Sequence, residues 1–457
     1  MKIPLSILTG LILSCIIAFS QEITGQWHGM ADINGTKLRI TFNISKDGQN
    51  YSATMDSPDQ GAKGIPVDSV IFDNPVIKIK ISKIFFEYKG ELKNNDLIEG
   101  TVVQGGMSIP LKLGRKEIEA PQKASVKRAQ NPVEPYPYLS EDVKFRNEKE
   151  NFSLAGTFTL PSGSRKFPAV ILISGSGLQN RDEEIMGHKP FLVLSDYLTR
   201  KGIAVLRYDD RGCAGSEGDP LNATTADFAT DAQSAIEYLK SRKEIDPKKI
   251  GIIGHSEGGI IAFMLAAKNK NIPFIVSMAG SAIKGDSILL QQRQAIFKAS
   301  GMTDEQIAKD SDYMREAFQI AQNTSDKNEL KIKLTEILEG SPLSNTVDIL
   351  VGQFSSPWMR YFLSHDPSAD IAKVKCAVLA LNGDKDLQVI STPNLNTIKN
   401  VLNKNGNNKV TIKEYPALNH LFQSCQTGSP VEYEKIEETI NPQVLHDIAE
   451  WILKTVK

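Results

Sequence analysis

Cysteine is scarce in this chain: Cys15, Cys213, Cys376 and Cys425 are the only four in 457 residues. Their wide spacing excludes a disulfide framework and a cysteine-built metal cluster. Charge of one sign is lacking too. Lys and Arg number 53 against 54 Asp and Glu, a formal net charge of −1. No basic field is therefore available to hold nucleic acid. Long apolar runs are missing beyond the first twenty residues, so no later segment can cross a bilayer. What remains is an ordinary globular composition, 40% hydrophobic and 23% charged. The length is enough for two or three domains.

Residues 1–20 have the layout of an export signal. Lys2 supplies the positive start, an apolar stretch runs from Leu5 to Phe19, and Ala18-Phe19-Ser20 offers a small-x-small cleavage site before Gln21. A lipoprotein signal ending at Cys15 is the rival, but the apolar run continues past that cysteine. The expectation is an exported chain, periplasmic or extracellular, with no permanent membrane span once the signal is gone. Cys376 falls in an apolar segment and is expected to be core. Cys213 and Cys425 fall in loops expected near the site, which leaves a bridge between them open.

Residues 21–115 alternate short β-like runs with Gly, Asn and Asp turns. The segments 38–44 and 76–81, and the region around Tyr88, alternate with period two. Gly25-Gln26-Trp27 opens this region as G-x-W opens small lipocalin-like barrels, so a small all-β, barrel-like accessory domain is expected. His28 beside it is expected to be structural. Residues 116–138, with Pro132, Pro135 and Pro137, are expected to form a linker. From 139 to 457 the pattern changes. A hairpin over 143–160 is followed by apolar strands near 169–173, 203–208, 249–253, 274–279, 374–381 and 410–415, with helices between most of them. Such alternation predicts an α/β domain with a doubly wound, mostly parallel sheet. The rhythm breaks between about 283 and 370, where apolar residues such as Ile307, Met314 and Phe318 recur at helical spacing. This stretch is expected to be a helical cap inserted between two core strands.

Gly254-His255-Ser256-Glu257-Gly258 carries the chemistry. It lies between a buried strand and an apolar helix. A serine at a sharp strand-to-helix turn exposes its hydroxyl, and small neighbours let the backbone fit. A serine hydroxyl needs a base to take its proton, and the base needs an orienting acid. On a sheet of this kind the acid follows the serine and the histidine comes last. The strand near 374–381 runs into Asn382-Gly383-Asp384-Lys385-Asp386, and the strand 410–415 runs into Pro416-Ala417-Leu418-Asn419-His420. Both loops belong at the carboxyl edge of the sheet, where Ser256 also lies. His420 is the expected base. His255, His188, His365 and His446 lack the order or the loop. Asp384 and Asp386 both remain open as the acid. Glu257 N–H is expected as one oxyanion donor. The second is expected from Ser174-Gly175-Ser176-Gly177-Leu178, at Ser176 with Gly177 as the alternative. Gly175, Gly177 and Leu178 are expected to touch substrate.

These residues make residues 140–457 resemble the α/β-hydrolase superfamily, in particular secreted serine esterases related to dienelactone hydrolases and the serine aminopeptidase-like group. The resemblance implies a G-x-x-D-x-x-V pattern, met by Gly383, Asp386 and Val389, and so favours Asp386. It also covers Arg207-Tyr208-Asp209-Asp210-Arg211-Gly212, whose charged side chains are expected to brace the oxyanion turn. Ser174-Gly175 stands where the superfamily usually has His-Gly. The activity implied is serine-dependent hydrolysis of carboxylic esters of short to medium acyl length through an acyl-enzyme, with no metal or organic cofactor. The partner expected is a small-molecule ester. A peptidase or amidase, using a cap carboxylate such as Glu316, Glu329, Glu336 or Glu339 to hold an amine, is the alternative. A non-catalytic binding protein is the third.

Overall fold

The computed structural model describes residues 22–33, 36–48, 50–60, 62–82, 86–104, 107–119, 128–339, 343 and 347–457. The expected export signal with Cys15, and residues 120–127 of the expected linker, lie outside the described residues. The chain divides into two compact units, with the break at Lys123–Ala124.

The first unit is built from β1 (Gly25–Ile33), β2 (Thr36–Asp47), β3 (Asn50–Ser57), β4 (Ala62–Pro66), β5 (Ser69–Asp73), β6 (Val76–Ile81), β7 (Phe86–Asn94), β8 (Leu97–Gln104) and β9 (Met107–Gly114). All pairings are antiparallel. Strand β2 pairs with both β1 and β3, which closes an eight-stranded barrel, and β4 lies beside β3. Strict alternation explains the closure. In β6, Ile77, Ile79 and Ile81 are buried while Lys78 and Lys80 face out. Trp27, Phe42, Phe86 and Tyr88 fill the interior, so the barrel is a packed core. The Arg115 guanidinium lies 3.7 Å from the centroid of the Trp27 ring and donates to the Thr24 and Glu22 carbonyls. His28 is buried against the Thr41 hydroxyl, at 3.0 Å.

The second unit holds β10 (Leu139–Asn147), β11 (Phe152–Leu160), β12 (Phe167–Ile173), β13 (Ala204–Tyr208), β14 (Ile245–His255), β15 (Phe274–Met278), β16 (Ala377–Gly383) and β17 (Val410–Tyr415). Their order across the sheet is β10-β11-β13-β12-β14-β15-β16-β17. The hairpin β10–β11 joins the edge antiparallel, and the other six strands run parallel. The apolar runs of β12 and β13 are buried on both faces. Alternate residues of β12 enter different cores: Ala169 and Ile171 one, Val170 and Leu172 the other. Helices α1 (Pro190–Arg200) and α11 (Pro442–Thr455) cover one face. Helices α2 (Thr225–Ser241), α3 (Glu257–Lys268) and α10 (Ser391–Lys404) cover the other. This is the doubly wound α/β-hydrolase fold.

The stretch expected as a cap is helical. It comprises α4 (Gly285–Ala299), α5 (Asp304–Asn323), α6 (Lys327–Leu338), α7 (Val347–Phe354), α8 (Pro357–Ser364) and α9 (Ser368–Ile371), all between β15 and β16. It has its own core, with Met314, Phe318, Leu334 and Phe354 at its centre. Asp326 caps α6, and Ser356 caps α8 ahead of Pro357. The segment from residue 128 is fastened to the second unit. Arg128 donates to the Met186, Glu434 and Ile436 carbonyls, and Gln130 to the Ile440 carbonyl.

Candidate active site

Ser256 stands between the end of β14 and the start of α3 at φ 52°, ψ −116°. A side-chain-bearing residue at positive φ costs about 1–3 kcal/mol, so the surroundings must impose it. Two glycines make that possible. A Cβ on Gly254 would lie 2.0 Å from the Gly258 carbonyl oxygen, and one on Gly258 would lie 2.1 Å from the Ile173 carbonyl oxygen. Strand, turn and helix therefore approach closer than any side chain permits. Ser256 N donates to the Met278 carbonyl at 2.9 Å, which fixes the turn on the neighbouring strand.

The loops after β16 and β17 touch each other: a Cβ on Gly383 would lie 2.1 Å from the Leu418 carbonyl oxygen. In that contact His420 Nδ1 lies 2.7 Å from Asp386 Oδ2. Asp386 Oδ1 accepts from the backbone N–H groups of Gln388 at 2.8 Å and Val389 at 2.9 Å. Asp386 is 2% exposed and His420 4%. Asp384 faces elsewhere and accepts from Ala417 N–H at 2.7 Å. With Nδ1 donating to the carboxylate, Nε2 of His420 is left as an acceptor. The His420 ring lies beside the serine turn, its centroid 4.7 Å from that of His255. Among the described residues Ser256 Oγ makes no hydrogen bond, a resting state that substrate binding is able to tighten.

Ser176, Ser256 and Glu257 line one cavity of about 50 Å3, walled by Ile260, Ile288, Leu289, Trp358 and Phe362. Among the described residues neither Ser176 N–H nor Glu257 N–H has a protein acceptor. Gly175 N–H is engaged, donating to Glu183 Oε1 at 2.8 Å. Gly175 and Gly177 border a separate, water-sized cavity with Asp210 and Glu257, and Leu178 is 53% exposed. The charged segment at the end of β13 and just beyond it holds this turn. Asp210 accepts from Ser174 Oγ–H and Gln179 N–H, both at 2.9 Å. Arg181 pairs with Asp209 at 2.7 Å, and Arg207 with Asp182 at 2.9 Å. Burial pushes the Asp210 carboxyl up to about 8, and the nearby Glu257 and Glu183 carboxylates push the same way.

The side chain of Glu257 points inward. Its Oε1 accepts from Thr225 Oγ1–H at 2.6 Å and from Trp358 Nε1–H at 2.8 Å, tying helix α8 to the residue after Ser256. Burial raises its pKa above the usual carboxylate range. Glu316, Glu329, Glu336 and Glu339 on the cap are exposed. Cys213, Cys376 and Cys425 are free thiols. Among the described residues no group of three His, Cys, Asp or Glu side chains is placed to hold a metal ion, and no helix is long and apolar enough to cross a membrane.

The model of the X-Pro dipeptidyl-peptidase (S15) family matches residues 150–413, which contain the Ser256 turn and the Asp386 loop. The chain belongs to that family. Among curated proteins this S15 member is 27% identical over 324 residues to Esterase EstD of Thermotoga maritima, covering 70% of this chain and 69% of that protein. It is 26% identical over 249 residues to an uncharacterised 31.7 kDa protein of Escherichia coli, covering 53% of this chain and 81% of that one. Among solved structures, the Pyrococcus furiosus esterase Pf2001 is similar at TM-score 0.43 and 16% identity, over 70% of this chain and 92% of that one. The α/β-hydrolase GrgF from Penicillium sp. sh18 is similar at TM-score 0.44 and 16% identity, over 69% of this chain and 99% of that one. Membership of the S15 family, with the fold described above, makes the chain an α/β-hydrolase of the serine-hydrolase class.

Sequence reasoning set His255 aside as a base. The structure pairs it with Glu183. His255 Nδ1 lies 2.8 Å from Glu183 Oε1, and His255 Nε2 lies 3.0 Å from the His420 carbonyl oxygen. The available signal was a titratable residue at the buried end of the nucleophile strand, where an inert apolar residue would pack without a partner.

Proposed function

We propose that this S15 member hydrolyses carboxylic esters through Ser256, His420 and Asp386 by way of an acyl-enzyme. The observation that carries this reading is the buried His420–Asp386 hydrogen bond of 2.7 Å beside the strained Ser256 turn. His420 Nε2 takes the Ser256 proton as Oγ attacks the ester carbonyl. Glu257 N–H and Ser176 N–H, with no other partner among the described residues, hold the negative oxygen of the tetrahedral intermediate. His420 then protonates the leaving alcohol. Water, deprotonated by the same ring, releases the acid and restores Ser256.

The cavity supports a short acyl group. A single water occupies about 10–15 Å3 on the scale used for such spaces, so about 50 Å3 admits only a few atoms beyond the carbonyl. A peptidase reading needs an ionised carboxylate to hold the substrate amine. The carboxylate in this cavity, Glu257, is engaged by Thr225 and Trp358, and burial favours its neutral form. Nitrophenyl esters from acetyl to decanoyl, compared with aminoacyl anilides, test the assignment. Highest kcat/KM on acetyl or propionyl esters, abolished in Ser256→Ala, is the expected result. Full activity in Ser256→Ala, or a preference for the anilides, overturns it. We place the activity outside the cytoplasm because of the leader-like residues 1–20. Recovery of the full-length, unprocessed protein from the cytoplasm would refute that placement.

A further inference from the structure

His255 is buried, and both of its ring nitrogens are engaged. The partner of Nε2 is the His420 carbonyl oxygen, which only accepts, so Nε2 carries a proton. The partner of Nδ1 is Glu183 Oε1, and the same oxygen accepts Gly175 N–H at 2.8 Å. One carboxylate oxygen taking two N–H donors is a normal, strong arrangement. The neutral alternative puts the shared proton on Glu183 Oε1, which weakens that oxygen as an acceptor for Gly175. We propose that Glu183 and a doubly protonated His255 act as a positioning pair, locking the oxyanion turn to the His420 loop across the nucleophile. The proposal rests on the Ser256–His420–Asp386 reading above.

The pair joins three loops that are remote in sequence. Gly175 precedes the expected oxyanion donor Ser176, His255 precedes Ser256, and His420 is held by its own carbonyl. Gly175 abuts the nucleophile: a Cβ built on it would lie 3.2 Å from Ser256 Cβ. Glu183 is held at φ 51°, a strained conformation for a side-chain-bearing residue. Burial, the largest single influence, lowers the pKa of His255, but the charge and hydrogen bond of Glu183, the His420 carbonyl and the Asp386 charge together turn the net direction up. The charged and titratable groups facing His255 are therefore Glu183, His420 and Asp386. Phe191, Met278 and Phe422 supply its apolar surroundings. Neither Glu183 nor His255 need touch substrate. Their effect is on where the Ser176 amide and the His420 ring stand.

Two measurements on the full-length protein test this. In the first, 15N-histidine labelling identifies the His255 ring signals by their loss in His255→Gln. At pH 8 both ring nitrogens are expected to carry protons, and a bare Nδ1 at that pH overturns the proposal. In the second, Glu183→Gln removes the negative charge that keeps a buried His255 doubly protonated. With the ring neutral, Nδ1 becomes an acceptor, so an amide oxygen at that place keeps Gly175 N–H and loses Nδ1, while an NH2 there keeps Nδ1 and loses Gly175. A displacement on the order of 1 Å at the reacting groups costs about 100-fold. Glu183→Gln is therefore expected to lower kcat by about 10- to 100-fold with KM little changed. The double variant with His255→Gln is expected to be no worse than the more impaired single one. Wild-type kcat in Glu183→Gln, or losses that multiply in the double variant, overturn the pair. If the variants do not fold, the His255 ring signals of the unaltered protein are assigned by through-bond correlation to its own backbone resonances, and their protonation still decides. Activity surviving in Ser256→Ala would instead sink the underlying site reading. An inactive Ser256→Ala together with a neutral His255 sinks the pair alone.

Discussion

Replacing Asp386 by Asn tests the proton path at a single atom. The two carboxylate oxygens have different duties. Oδ1 accepts two backbone N–H groups, from Gln388 and Val389, and Oδ2 accepts His420 Nδ1–H. An Asn side chain has one acceptor oxygen and one donor NH2. Turning the NH2 toward the two backbone amides would leave buried donors facing donors, at about 1–3 kcal/mol for each unsatisfied group. The amide oxygen therefore stays with Gln388 and Val389, and the NH2 faces His420. His420 must then present a lone pair at Nδ1, which moves its proton to Nε2. The nitrogen that should receive the Ser256 proton no longer has a lone pair free. The same exchange in a serine protease lowers kcat about 10,000-fold, equivalent to about 5 kcal/mol of transition-state stabilisation. A loss of that order is expected in Asp386→Asn on nitrophenyl acetate at pH 7, with a melting temperature close to wild type because the amide keeps its two backbone bonds. Asp384→Asn disturbs only the bond to Ala417 and leaves kcat largely intact. A loss below tenfold in Asp386→Asn, or a larger loss in Asp384→Asn, would refute the reasoning.

Ser256→Gly removes the penalty of a side chain at φ 52°. It is expected to abolish hydrolysis while stabilising the fold by about 1–2 kcal/mol over Ser256→Ala, which keeps the strain; equal thermal midpoints for the two variants would count against a strained nucleophile. Asp210 has a folded pKa of about 8, above the unfolded carboxylate value near 4, so the native state binds the extra proton between those limits and stability falls as pH rises through them. Asp210→Asn lets its oxygen accept Gln179 N–H and its NH2 donate to Ser174 Oγ, so thermal unfolding from pH 5 to 8 should show a shallower fall than wild type; an unchanged slope would show that Asp210 does not carry it.

What a sequence exposes depends on how far apart the partners lie. The nucleophile turn is legible because its cause is local: Gly254 and Gly258 are needed where backbone meets backbone, four residues apart. The sheet is legible because strands buried on both faces must be apolar throughout, as in Ile171-Leu172-Ile173. The barrel is legible because β6 alternates Ile with Lys. The carboxylate that meets His420 was only half legible. Asp384 and Asp386 are two residues apart in one loop, and pattern alone left both open. The backbone path separates them: it folds the N–H groups of Gln388 and Val389 onto Asp386, which His420 meets, while Asp384 accepts from Ala417. Glu183 and His255 were not legible as a pair, since 72 residues separate them and no periodicity links a strand end to a loop. The cap shows the limit most sharply. Its helical spacing predicted helices, but spacing reports which face a helix buries and not what that face meets. Trp358 sits on a cap helix yet bonds to Glu257, 101 residues earlier and adjacent to the nucleophile. The cavity beside Ser256, walled in part by Trp358 and Phe362, is thus shaped by how α8 docks on α3. That docking depends on a buried carboxylate whose neutral form burial favours, an interaction with no trace in local sequence.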